Sequence, residues 1–152
     1  YNFVIIGLNE DALKYYSKLL INNLSLVPFQ NYKNYCEYLR ASDILIANYS
    51  DTLFNRYYLG PQKAGPYLLS GNPVIFSDLP SLRDRFSDEI AYFVEPENID
   101  EWVKKIKSVS KNKVSSRLKA KNAQEYVSIK NYPSSAKVIL SRINKSLNVS
   151  KE

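Results

Sequence analysis

The residues best suited to chemistry in this chain sit in one string, Pro61-Gln62-Lys63-Ala64-Gly65-Pro66-Tyr67-Leu68-Leu69-Ser70-Gly71-Asn72-Pro73-Val74, which runs directly into the apolar Ile75 and Phe76. A lysine at a helix start, followed by a glycine and a buried strand, is an arrangement suited to phosphate. The unpaired N–H groups of a helix N-terminus and a compact ammonium both attract anions. Absences narrow the chemistry further. The chain has no His, which excludes Ser-His-Asp and Cys-His nucleophile pairs and any His-ligated metal. Its one cysteine, Cys36, excludes an internal disulfide, fits a reducing compartment and reads as a small hydrophobe on a helix face. The acidic residues form no Asp-x-Asp pair or EF-hand loop, so neither a metal site nor a cofactor is expected. Gly7-Leu8-Asn9 lacks the remaining glycines of a dinucleotide fingerprint, which argues against a nicotinamide or flavin enzyme.

The elements that must position Lys63 are legible in the apolar pattern. Five short runs, Phe3 to Ile6, Leu24 to Val27, Ile44 to Ala47, Pro73 to Phe76 and Ala91 to Val94, are β-branched or aromatic and bounded by Gly, Pro, Asn or Asp. Continuous apolarity without alternation predicts strands covered on both faces, hence a parallel sheet. Helical spacing lies between them: Leu13, Tyr16 and Leu20; Tyr32, Tyr35, Cys36 and Leu39, with Asn31 as N-cap; Ile99, Trp102, Ile106 and Val109, with Asn98 or Asp100 near the cap. After Lys113 the pattern is purely helical, with Asn131 and Pro133 separating the last two helices. The expected fold is therefore α/β, a doubly wound, Rossmann-like parallel sheet with C-terminal helices. In such sheets ligands bind beyond the carboxyl ends of the strands. That rule selects the loops after Ile6, Val27, Ala47 and Phe76 and the turn into the helix at Lys63. The stretch from Asn48 to Gly60 reads as the longest structureless loop. Asp51 and Asp78 read as turn or cap residues. Gly65-Pro66 predicts a helix that begins only at Pro66, leaving Lys63 on a loop.

Charge is unevenly spread. Residues 1–100 hold 8 Lys+Arg and 12 Asp+Glu, whereas residues 101–152 hold 13 and 3, within an overall net charge of +6. A basic C-terminal region fits a solvated helix face or an anionic membrane surface. Nucleic acid is not the expected partner, because no aromatic residues interleave with the lysines from Lys104 to Lys121 as stacking platforms would. No apolar run approaches the roughly 18 residues of a membrane span. The chain opens Tyr1-Asn2-Phe3 and contains no Met, which reads as a start inside a longer protein.

The order of segments resembles the C-terminal, nucleotide-sugar-binding half of a GT-B glycosyltransferase of the group 1 (GT4-like) family. Four stretches carry the resemblance. Phe3-Val4-Ile5-Ile6-Gly7 resembles the family's strand ending in Val-Gly. Leu26-Val27-Pro28-Phe29 with the later Ala41-Ser42-Asp43-Ile44-Leu45-Ile46 resembles its strand, helix and Ala-Asp-Val strand. Pro61-x-Lys63-x-x-x-Tyr67-Leu68-x-x-Gly71-x-Pro73-Val74 is similar to Pro-x-Lys-x-x-Glu-Tyr-Met-Ala-x-Gly-x-Pro-Val. Ser77-Asp78-Leu79-Pro80 and Tyr92-Phe93-Val94-x-Pro96 resemble the segments that follow. Only the 61–74 string is specific; the rest is pattern.

The resemblance implies transfer of a sugar from a nucleoside-diphosphate sugar, as substrate, to a glycan or lipid-linked acceptor, without a metal. Residues 1–132 would form the donor-binding domain, lacking its first strand–helix unit. Residues 133–152 would form a C-terminal helix packing toward an absent N-terminal acceptor domain. Lys63 would pair with the diphosphate, backbone N–H groups near Gly60 would add donors, and Phe29 would flank the base. Gly7 would end the first strand at the site, and Asp51 would stand at the family's upstream acidic position. The protein would be cytoplasmic, peripheral to the inner face of a membrane, and this fragment alone would be inactive. The chain departs from the family string at Pro66, where Glu normally accepts hydrogen bonds from the ribose. Two alternatives remain open at this point: a degenerate glycosyltransferase-like domain acting as a binding or scaffolding module, and a polyanion-binding α/β domain.

Overall fold

The computed structural model describes residues 1–130 and 132–149, the side chains of 132–135 and 146–149 excepted. Asn131, the expected punctuation between the last two helices, lies outside the described residues. The chain divides into two compact units, Tyr1–Ala41 and Ser42–Glu152.

The first unit is a parallel pair of strands, β1 (Phe3–Leu8) and β2 (Leu24–Pro28), joined by helix α1 (Glu10–Ser17). Helix α2 (Tyr32–Ala41) follows. Asn9 starts α1 by accepting the Ala12 N–H on its side chain at 2.9 Å, and Asn31 does the same for the Asn34 N–H before α2. Each satisfies one of the donors that a helix start leaves over. Leu20, expected on the apolar face of α1, lies beyond it at φ +47 and is exposed. Helix α1 stops at Ser17 because the chain must reverse within a few residues to enter β2 in parallel.

The second unit holds a three-stranded parallel sheet in the order β3 (Leu45–Ala47), β4 (Val74–Ser77), β5 (Tyr92–Val94). All five predicted strands form, and every pairing is parallel. They fall into two sheets, however, where the sequence suggested one. The central β4 is buried along its whole length. On one face Ile75 packs with Val94, Trp102 and Val109, the last two from helix α6 (Ile99–Lys111). On the other, Phe76 stacks on Phe86, whose edge meets Tyr126 of helix α7 (Lys113–Ile129). Helix α8 (Tyr132–Val149) ends the described chain, and its Val138, Ile139, Leu140 and Ile143 are exposed.

Three short helices connect these strands. The stretch from Asn48 to Gly60 is not structureless: it contains α3 (Leu53–Tyr57), started by the Thr52 side chain, which accepts the Asn55 N–H. Phe54 and Tyr58, one turn apart, pack ring to ring across it. Helix α4 (Ala64–Leu69) starts two residues earlier than the proline suggested, with Pro66 as its third residue. The first-turn N–H groups have no acceptor within the helix, so a proline there loses nothing, and the carbonyl it would crowd belongs to Gln62, outside the helix. Helix α5 (Pro80–Arg83) carries its proline at the first helical position, where it is also tolerated. The turn out of α4 needs Gly71: its φ is +84, and the Gln124 amide of α7, donating to the Leu69 carbonyl at 3.0 Å, fills the space a Cβ would occupy.

Candidate functional site

Parallel strands send their chain exits to one end of the sheet, so Asn48 after β3, Asp78 after β4 and Glu95 after β5 all emerge at the same edge of the second unit. Lys63 belongs there. It is the N-cap of α4, its carbonyl accepts the Tyr67 N–H at 3.1 Å, and its side chain makes no capping bond. The ammonium lies 5.6 Å from the centre of the Tyr49 ring, a cation–π distance, and Tyr49 is the second residue beyond β3. The amine therefore stands at the carboxyl edge of the sheet. Lys63 is exposed, so the ammonium is accessible to an anion from solvent.

Tyr49 is itself held. The Ser77 hydroxyl, wholly buried at the end of β4, accepts the Tyr49 N–H at 2.7 Å and lies 2.8 Å from the Tyr49 carbonyl and 3.1 Å from Asn48 Oδ1. Partial burial raises the Tyr49 phenol above its ordinary pKa, which keeps the ring neutral across the physiological range. Ser81 Oγ donates to the Asn55 carbonyl at 2.6 Å and fastens α3 to α5.

Asp51 is engaged locally. Both its carboxylate oxygens accept from the Arg56 guanidinium, and this pairing holds its pKa below the usual carboxylate range. It serves as a brace onto α3, whose cap is the next residue, Thr52. Asp78 behaves likewise, taking two bonds from Arg83, which also reaches Asp88 and lies over Phe93, its guanidinium carbon 3.8 Å from the ring centre. Gly60 precedes the turn into α4; its carbonyl accepts the Gln62 N–H at 2.8 Å, and a Cβ there would meet nothing within 4 Å.

The other two sequence-predicted residues lie in the first unit, also at carboxyl ends of strands. Gly7 has φ +89 at a register shift between Ile6 and Leu8, a bulge that only glycine adopts without strain. Phe29 follows β2 directly and is 84% exposed. A concavity of about 230 Å³ in this unit, lined by Tyr16, Leu20, Ile21 and Leu24 among others, opens instead at the amino end of β2. Sequence reasoning missed Tyr49, Ser77 and Arg56. The one available signal was a serine closing an otherwise apolar strand. Among the described residues, no three His, Cys, Asp or Glu side chains gather as metal ligands would.

Parallel strands, helical crossovers and polar loops at the carboxyl ends define a Rossmann-like α/β domain. The chain belongs to the family described as Glycosyl transferases group 1, which matches residues 1–126. Its fold is shared by solved GT-B structures. Alr3699/HepE from Anabaena in complex with UDP-glucose superposes with a TM-score of 0.72 at 15% identity, over 97% of this chain and 41% of that one. Sucrose-phosphate synthase from Thermosynechococcus elongatus gives 0.67 at 15% identity, over 97% and 38%. TarM gives 0.67 at 19% identity, over 97% and 28%. The chain thus spans about two fifths or less of the length of these structures. No curated protein matches it in sequence.

Proposed function

We propose that this chain is the nucleotide-sugar-binding part of a glycosyltransferase, which transfers a sugar to a glycan or lipid-linked acceptor with Lys63, rather than a metal, meeting the diphosphate. The reading is carried by one observation: in a chain matching this family over most of its length, an accessible lysine ammonium stands at the carboxyl edge of the parallel sheet. A leaving nucleoside diphosphate gathers negative charge as its bond to the sugar breaks, and a fixed ammonium stabilises that charge as it develops. Uridine diphosphate is the nucleotide to try first, since Alr3699/HepE is described with it. Pro66 supplies no side-chain acceptor for a ribose hydroxyl, so the ribose would rely on backbone groups.

The longer protein would complete the domain. In a doubly wound sheet the first strand is central and pairs on both sides. Here β1 and β3 each end their own sheet, with one edge unpaired by any described strand. A preceding strand–helix unit would pair with the free edge of β1, and the exposed Ile139 and Ile143 of α8 would pack on the acceptor domain. The basic helices would face an anionic membrane on the cytoplasmic side, where lipid-linked acceptors reside. The fragment by itself would not turn over.

The test is nucleotide binding by the full-length protein. Uridine diphosphate should raise its melting temperature, and Lys63→Ala should weaken binding about tenfold, the scale of one charge-assisted phosphate contact. No stabilisation by millimolar uridine, guanosine or adenosine diphosphate would overturn the reading and favour a binding module that has lost its donor. In that case affinity gained on Pro66→Glu would identify the missing carboxylate as the cause.

A further inference from the structure

We propose that Ser77 is a positioning residue for the phosphate site, acting through Tyr49 on the ammonium of Lys63. This rests on the donor-site reading of Lys63 but makes its own claim about how that amine is aimed. The β3–β4 ladder ends at the pair Ala47–Phe76. One residue further, the Ser77 side chain takes over from the backbone, accepting the Tyr49 N–H at 2.7 Å and facing the Tyr49 carbonyl at 2.8 Å. A single hydroxyl can do both, because it carries one donor and two acceptor lone pairs. The third neighbour, Asn48 Oδ1 at 3.1 Å, is an alternative acceptor for the same proton and keeps the contact within this turn.

The consequence is that the first two residues out of β3 are bonded to the most buried strand of the unit, and the Tyr49 ring is half-buried where it leaves. A lysine stem has several freely rotating bonds, and fixing them when a ligand binds has an entropic cost. An aromatic face 5.6 Å from the ammonium holds that stem in advance, while leaving the amine hydrogens for an anion. The bonds of Ser77 to Tyr49 are made to the backbone, and through them Ser77 acts on the ring. The carboxylates of Asp51 and Asp78 do not compete for the role, being taken by Arg56 and Arg83.

The experiment uses the full-length protein and two readouts. One is the proton chemical shift of the Lys63 ε-methylene, which a nearby ring face moves upfield with no ligand present. The other is uridine diphosphate affinity. Ser77→Ala and Tyr49→Leu should each return the Lys63 signal toward that of a free lysine and weaken binding about three- to tenfold, while Tyr49→Phe, which keeps the ring, should preserve both. An unmoved Lys63 signal in Ser77→Ala would overturn the proposal, as would unchanged affinity in Tyr49→Leu. Should Ser77→Ala fail to fold, Tyr49→Leu against Tyr49→Phe decides the link from ring to amine. If the unaltered protein binds no nucleotide, the donor-site reading fails, and with it the phosphate part of this claim, whereas the Lys63 signal still decides the positioning.

Discussion

Strands β1 and β4 are written in the same alphabet, Phe-Val-Ile-Ile-Gly-Leu and Val-Ile-Phe-Ser, yet they have different fates. In β4 every residue is buried, with strands on both sides, α6 below one face and the Phe86–Tyr126 aromatic pair on the other. In β1 no residue is buried; Phe3 and Val4 are 41% and 48% exposed. Within Tyr1–Ala41 only Leu39 is buried at all. The difference teaches that a continuous apolar run states what a strand requires, while burial depends on how many layers are present to cover it. A two-stranded parallel sheet has one face on α1 and few other resources, and units near 40 residues bury too little surface to be stable unaided.

The largest test of this contrast compares core truncations. Phe76→Ala should cost about 3–5 kcal/mol in denaturant unfolding of the second unit, because it opens a cavity among Phe86 and Phe93. Val4→Ala should cost less than about 1 kcal/mol, since much of that side chain already meets water. Equal losses would show that β1 is buried as deeply as β4 in solution and would erase the distinction.

A subtler comparison uses the two glycines with positive φ. Gly71→Ala should destabilise by about 1–2 kcal/mol from the left-handed backbone alone, and more once the Gln124 amide is displaced from the Leu69 carbonyl. Gly7→Ala has the backbone term only, because nothing lies within 4 Å of its added carbon. Thermal melts of the two variants would sharpen the contrast if Gly71→Ala proves the worse, and would weaken it if the order reverses.

The smallest effect concerns acid. Arg83 lowers the Asp78 pKa through their hydrogen bonds, so this pairing stabilises the second unit fully above the ordinary carboxylate pKa. The contribution fades as pH falls through the lowered folded value, where Asp78 takes up its proton. Asp78→Asn should therefore lower the melting temperature slightly at pH 7 and flatten its decline in acid. A variant with an unchanged acid slope would mean that Arg83 relies on Asp88 and Phe93 instead.

How much of the site was legible follows from the range of the interactions involved. Helix starts at Asn31 and Asn98 were within reach, because a cap bonds three residues along the same chain, whereas the same signal at Asn9 went unread. The short helix α3 was hidden: its cap Thr52 and its Phe54–Tyr58 pair are local, but five residues carry too little periodicity to stand out. Pro66 misled by its usual meaning within a helix interior, when its place in the first turn made it harmless.

Residue types and their spacing along the chain by themselves determined the five strands, their parallel sense, the longer helices and Lys63 as the residue to watch. These depend on side-chain shape, apolarity and contacts a few positions apart. Tertiary structure alone decided that the strands form two sheets, and that Ser77 and Tyr49, 28 positions apart, meet near the amine of Lys63. Such meetings depend on which strand lies beside which, and a polar pair brought together across a sheet leaves no periodic mark in the chain that encodes it.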